Sequence, residues 1–405
     1  MEKFDIYLHS PEFIYICNES FDIYYKKDIG IKGGKISFIG DYKEGKNKIG
    51  DSTRFYNLKG KIILPGFIDP HTHPVYSDDR ILEFEERLLG KKYLELLKEE
   101  RGILYTVKRT REKSKESLKK IVKERLRKFL EHGTLTIEAK TGYGLSVEEE
   151  IKHLEILYEL KKEFPLDIKI TALFAHAVPK EKSKEEYIEE ILNYGLKEAS
   201  KYADFCDVFV EKGVYTKEEG KRILLEAKKY GMLPRIHADE LSNSGGGEIA
   251  LEIDAISCDH LEYTPLNVLK KMKNKRISCV LLPATSFFMR LPFAKGRKML
   301  DLGLSVSLAT DHNPGTSFTF SQIFVAGLAI FLMGFKIEEA MKAITINSAK
   351  SLLMDDRKGS LEIGKDADLV VFDIKRLSYL FYDFYNVKKP VLVIKNGKEF
   401  INEID

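Results

Sequence analysis

The chain has 405 residues, 43% of them apolar, and 66 basic against 63 acidic residues leave a formal charge of +3. That length allows a large buried core and exceeds the usual single domain, while the balanced charge excludes a strong general affinity for nucleic acid. No run of about 18 uncharged apolar residues offers a membrane span.

The amino terminus, MEKFDIYLHS, lacks the basic start, apolar run and small-residue cleavage site of a secretory signal. Cys17, Cys206, Cys258 and Cys279 are scattered without a CxxC, so a reducing cytoplasm is expected. A single glutamine (Gln322), no tryptophan and abundant Lys and Glu fit either a heat-adapted source or a genomic base bias.

Residues 1–57 read as short strands, FDIYLHS, FIYICN and DIGIKGGKISFIG, with the paired glycines marking a turn. From 58 to 358, eight short apolar runs alternate with Lys/Glu-rich helical patterns. In LKKIVKERLRKFLEHG the alternating charges make an ion-paired helix face rather than a basic patch. The runs are IILPGFID (62–69), TLTIEAKT (134–141), IKITALFAHA (168–177), FCDVFVEKG (205–213), LPRIHAD (233–239), AISCDHL (255–261), ISCVLLPAT (277–285) and LSVSLATD (304–311). FVAGLAIFLMGF reads as a buried helix. Residues 359–405 return to strand texture in GSLEIGKDADLVVFD and PVLVIKNGKEF, the latter with an Asn-Gly hairpin signal.

Eight strands with intervening helices predict an α/β fold, a (β/α)8 TIM-like barrel over 58–358. A small β-sandwich domain is then built from both chain ends, 1–57 and 359–405. The alternative is an open doubly wound sheet, which would usually show a Gly-rich phosphate loop after its first strand. DPHTHP is not one.

In a barrel enzyme the chemistry gathers at the carboxyl ends of the strands. Of nine histidines, His71, His73, His176, His237, His260 and His312 fall at or just past such an end, whereas His9, His132 and His153 do not. Merely solvated histidines would scatter. Positions i and i+2 on a strand share a face, so His71 and His73 can reach one metal. His237 in RIHADE and Asp311 in LATDHNPG complete a set of three imidazoles and a carboxylate, the last run neighbouring the first in a closed barrel. That donor set suits zinc or iron rather than calcium or magnesium. A metal so held would acidify water for hydrolysis, with Asp311 able to accept its proton. His260 in CDHLE is placed to polarise a carbonyl, and Glu240 stands where a base or hydrogen-bond acceptor would. The fourth run ends in Glu211 and Lys212. With Glu211 inward, Lys212 has the wrong parity to bridge two ions, so one metal is expected.

PGFIDPHTHP, IHADE, CDHL, ATDHNPG and GSLEIGKDADLVVFD, in this order, resemble the amidohydrolase superfamily. DDRILEFEERLLGKKYLELL, EAKTGYGL, TALFAHAVP, DVFVEKGVYT and IHADELSNSGGGEIA narrow the resemblance to its imidazolonepropionase family, over about residues 58–375. The resemblance implies one zinc or iron ion per subunit on His71, His73, His237 and Asp311. It implies hydrolysis of 4-imidazolone-5-propanoate to N-formimidoyl-L-glutamate, a step of histidine degradation; for that reaction the residues themselves offer Glu240, His260 and Asp311 as catalytic groups. Substrate contacts carried over by position are Arg80, Tyr143, His176, Glu240, Asn313, Gly315 and Thr316. The substrate is a small anion, which Arg80 suits with its planar fork, Tyr143 and His176 being further donors. No membrane or nucleic-acid partner is implied, and a homodimer is allowed.

Two positions depart from the family pattern. A glycine run before "IL.TV" is reduced to Gly102, with Glu100 and Arg101 in the other places, which alters the expected shape of that loop. His312 stands where the family is often apolar or aromatic, either as a spectator or tuning Asp311. Among rival functions, a purine or pyrimidine aminohydrolase would share the metal ligands but needs no anion clamp of Arg80 and Tyr143. A non-catalytic barrel kept as an assembly module would have lost ligands, and all four are present.

Overall fold

The computed structural model describes residues 2–90 and 102–404. The chain divides into two compact units, one of Met1–Pro70, Lys128–Thr136 and Ser321–Asp405, the other of His71–Arg127 and Ile137–Phe320.

Both chain ends build the sheets of the first unit. A four-stranded sheet takes Lys35–Gly40, Asp28–Lys32, Ile6–His9 and Arg54–Asn57 in that order. A six-stranded sheet orders Lys398–Asn402, Leu392–Lys395, Leu369–Phe372, Ile62–Pro65, Phe13–Tyr15 and Ile23–Tyr25. Leu369–Phe372 runs antiparallel to Ile62–Pro65, with Val370 opposite Leu64, so strands from before and after the barrel sequence share one ladder. One apolar cluster joins the sheets, including Ile6, Leu8, Ile29 and Ile31 from one and Ile63, Leu369, Val371 and Ile394 from the other. Each such side chain, fully buried, contributes about 1.5–3 kcal/mol.

The barrel sheet has eight strands in sequential order. They are β1 (Phe67–Thr72), β2 (Thr134–Lys140), β3 (Asp167–Ala175), β4 (Phe205–Val210), β5 (Leu233–Ala238), β6 (Ser257–His260), β7 (Ser278–Leu281) and β8 (Val306–Leu308). The sheet's two edges meet just beyond β8. There the Asp311 N–H donates to His71 O at 3.1 Å, the His73 N–H donates to His312 O at 2.9 Å, and Thr72 bridges to His312 in parallel.

The eight apolar runs all supply barrel strands, but the first divides. Ile62–Pro65 joins the small sheet and β1 starts at Phe67. Gly66 sits at the switch: its N–H donates to Asp368 O at 2.9 Å, and a Cβ there would stand 2.4 Å from Leu135 Cδ1. The Pro65-Gly66 pair inside the run was the available signal for this switch, although both halves are buried.

Three helices bear on the site: α1 (Ile81–Leu88), α2 (Ile103–Arg111) and α3 (Val147–Glu163), the last with Ser146 accepting the Glu149 N–H. The apolar helix is Gln322–Met333, buried along most of its length, although Phe331 and Leu332 are about half exposed. Its Gln322 side chain donates to Ile68 O on β1 at 2.8 Å. Among the described residues no helix is long and apolar enough to cross a membrane, and all four cysteines are buried and unpaired.

Candidate active site and metal centre

The end of β1 carries both imidazoles of the first motif to one point. His71 and His73 are buried with their Nε2 atoms 3.2 Å apart. From β5, His237 brings its Nε2 to 3.3 Å from that of His73. Beyond β8, Asp311 places Oδ1 3.5 Å from His71 Nε2 and 3.4 Å from His73 Nε2. Four ligands at 2.0–2.1 Å from a tetrahedral ion stand about 3.3–3.4 Å apart, so the donors fit one metal. Thr285 donates its hydroxyl to Asp311 Oδ2 at 2.6 Å, which orients the carboxylate. His71, His237 and His260 form a second grouping whose ligand atoms lie within 4.8 Å of one another.

The back of the cluster is anchored in the barrel. His71 Nδ1–H donates to Asp259 Oδ2 at 2.7 Å and His237 Nδ1–H to Asp207 Oδ2 at 2.8 Å, which leaves both Nε2 lone pairs facing the centre. Burial, then Lys140 and neighbouring imidazoles, hold His71 well below the ordinary imidazole range; burial, then His237 and Lys140, do the same for His73. Neutral imidazole is the form that binds a metal.

Beneath lies a group of five ions that the sequence reading missed. Lys140 Nζ reaches Glu138 Oε1 at 2.7 Å, Asp207 Oδ2 at 2.8 Å and Asp259 Oδ2 at 3.7 Å. Arg235 comes within 3.4 Å of Asp259 and 3.6 Å of Glu138. All five are buried. Burial lowers the Lys140 ammonium, but Asp207 and Glu138 outweigh it and the net shift is upward. Strand parity was the available signal: Glu138 and Lys140, like Arg235 and His237, are two apart and share a face.

Glu240 stands on the loop after β5, with Oε2 3.7 Å from His260 Nε2. Burial, then Asp311, Glu262 and Glu211, push its carboxyl well above the usual range. Two carboxylates shape this loop. Asp239 accepts the N–H groups of Ser244, Gly245, Gly246 and Gly247 and the Thr264 hydroxyl. Glu211 accepts those of Leu241 and Ser242 and the Ser244 hydroxyl. Lys212 is exposed. Behind His260, Glu262 is buried and pushed up to about 8 by desolvation, against the hydroxyl of Ser286 at 2.9 Å.

Across the cleft from these groups lies Arg80, only 6% exposed, at the start of α1. Its Nε and Nη1 find no hydrogen-bond partner among the described residues, and the nearest carboxylate, on Glu83, is 3.6 Å from Nη1. Gly315 makes room for it, since a Cβ at 315 would fall 1.2 Å from Arg80 Nη2. Tyr143 and His176 line the same cleft, and the His176 ring stacks on His73 with centroids 5.2 Å apart. His176 Nδ1–H donates to Gly142 O at 3.0 Å, so the neutral ring turns an Nε2 acceptor toward the cleft instead of the expected donor.

Asn313 and Thr316 also line the cleft, but the Asn313 amide is engaged within its own loop. It donates to Asp311 O and Thr316 Oγ1 and accepts from the Gly315 and Thr316 N–H groups. His312 points away from Asp311: its Nδ1–H donates to Thr319 O, and Nε2 accepts from the Tyr76 hydroxyl at 2.9 Å. Glu100 and Arg101 lie outside the described residues.

A family model described as "Amidohydrolase family" matches residues 62–400. An imidazolonepropionase of Geobacillus kaustophilus is 42% identical over 382 residues, covering 93% of this chain and 90% of the relative. One from Kosmotoga olearia is 42% identical over 381 residues, covering 93% and 91%. Among solved structures, an adenosine deaminase from Xanthomonas campestris with bound zinc superposes with a TM-score of 0.78 at 13% identity, over 99% of this chain and 94% of that one. The guanine deaminase of E. coli gives 0.73 at 16% identity, over 98% and 99%. At such identities the two deaminases speak for the fold alone.

Proposed function

The chain belongs to the amidohydrolase family, among its imidazolonepropionases, and from that membership we infer how the cleft hydrolyses the ring amide of 4-imidazolone-5-propanoate to N-formimidoyl-L-glutamate. His71, His73, His237 and Asp311 would hold one zinc or iron ion. When bound, the metal acidifies water toward neutrality and polarises a carbonyl.

The chain's own groups then divide the work. The Asp311 carboxylate accepts the proton that water loses as its oxygen bonds to the ring carbonyl carbon. His260 Nε2 steadies the charge that develops on the carbonyl oxygen. Glu240 hydrogen-bonds the ring nitrogen and delivers the proton that this nitrogen takes as the C–N bond breaks; burial holds its carboxyl well above the usual range, which favours the protonated, donating form. Arg80 binds the propanoate carboxylate, Tyr143 lends its hydroxyl, and His176 Nε2 accepts from a ring N–H. Asn313 keeps the Gly315–Thr316 turn in place below Arg80.

One observation carries this reading: a three-imidazole, one-carboxylate centre shares its cleft with a buried guanidinium whose Nε and Nη1 make no hydrogen bond among the described residues. A ring deaminase needs the first and not the second. The test is metal content measured alongside turnover of imidazolonepropanoate, other ring amides and aminopurines. Turnover confined to imidazolonepropanoate is expected, and preferential deamination of an aminopurine would reject the reading.

A further inference from the structure

The turn after β2, Thr141 to Leu145, is gripped on both edges of its backbone. Glu150, in the first turn of α3, is fully buried, and its carboxylate accepts the N–H groups of Gly142 at 2.8 Å, Gly144 at 2.7 Å and Leu145 at 2.8 Å. On the carbonyl edge Arg111, which ends α2, donates Nε to Gly144 O at 2.6 Å and Nη2 to Leu145 O at 2.9 Å. Its remaining nitrogen, Nη1, meets Glu181 at 2.7 Å. The turn has no freedom to spare: Gly142 has φ +117°, and a Cβ there would stand 2.7 Å from His176 Nδ1. A Cβ on Gly144 would meet the Glu150 backbone nitrogen at 2.8 Å.

We propose that Glu150 and Arg111 are positioning residues for substrate binding, which set Tyr143 and the tautomer of His176 by fixing the backbone between them. Neither residue lines the cleft. Both act on it through one short segment: Tyr143 rides between the clamped residues, and Gly142 O receives His176 Nδ1–H. A first-turn glutamate already suits a helix N-terminus, but that duty alone does not require three N–H groups of the preceding turn on one carboxylate. The Arg111 contacts to the two backbone carbonyls are charge-assisted and so the strong ones, which lets the clamp resist the pull of the substrate arm. The proposal rests on the reading of this cleft as the imidazolonepropanoate site.

The test uses metal-loaded, full-length Glu150→Gln and Arg111→Met. A glutamine oxygen can replace only part of the carboxylate, and its NH2 group faces backbone donors. Expected are unchanged metal content, nearly unchanged kcat and a KM raised roughly 10-fold, the pattern of lost uniform binding. Amide hydrogen exchange at 142–145 should quicken. In a Tyr143→Phe background the same Glu150→Gln change should raise KM far less, since clamp and hydroxyl act in series. Unchanged KM in both variants, or full additivity with Tyr143→Phe, overturns the proposal. If Glu150→Gln does not fold, the partly exposed Arg111→Met carries the same comparison. A parent protein inert toward imidazolonepropanoate sinks the functional reading instead. Amide exchange then decides the clamp alone, and undiminished protection in both variants would overturn it.

Discussion

At His237 the two ends of one imidazole have separate duties. Nδ1–H is fixed by Asp207 at 2.8 Å, while Nε2 faces the ligand cluster 3.3 Å from that of His73. His237→Ala should therefore abolish metal binding and nearly all turnover while the barrel remains folded, because a core of this size does not need the ion, unlike a small zinc domain. Elemental analysis with circular dichroism checks this, and a full metal complement would remove His237 from the ligand set. Glu240 has the opposite profile, three residues on and 3.7 Å from His260. Glu240→Gln should keep the metal and the substrate affinity but lower turnover by about 10²–10⁴-fold. The acidic limb of the rate profile should change with it. Turnover within a few-fold of the parent would assign the proton transfer to Asp311 alone. The sequence singles out these residues because histidine is scarce and strand ends are easily marked. Asn313 and His176 were only half legible: which atom of an amide or imidazole is already engaged depends on neighbours that no spacing reveals.

At the scale of strands, β2, β4, β5 and β6 each send charged side chains into the barrel. Lys140 alone reaches carboxylates from three of these strands, Glu138, Asp207 and Asp259. Removing one partner from a buried ion group leaves the others uncompensated, at a cost of about 3–5 kcal/mol. Lys140→Met should thus lower the denaturation midpoint and also weaken metal affinity, because Asp207 and Asp259 orient His237 and His71. Denaturant titration paired with metal competition measures both, and loss of stability with unchanged metal affinity would detach the ion group from the centre. The sequence announced eight strands through their apolar runs, and the barrel has them in order. It marked the switch at Gly66 only by the Pro-Gly pair within one run, and it concealed the ion group, whose charged residues sit inside runs that read as apolar.

For the whole molecule we propose that one cleft joins a metal centre to a clamp for an anionic arm. Family membership supports the reaction, and the buried guanidinium of Arg80 supports the choice of substrate. Removing the metal with a chelator should end turnover and leave a folded protein that regains activity on remetallation. The carboxylate requirement is the sharper test, because the ring chemistry is the same with or without it. The decisive measurement is kcat/KM for imidazolonepropanoate relative to its carboxamide analogue, in the metal-loaded parent and in Arg80→Met. A charge-assisted contact predicts a preference of roughly 10- to 150-fold in the parent, collapsing toward unity in the variant. Equal loss on both substrates would make Arg80 a structural residue and contradict the account.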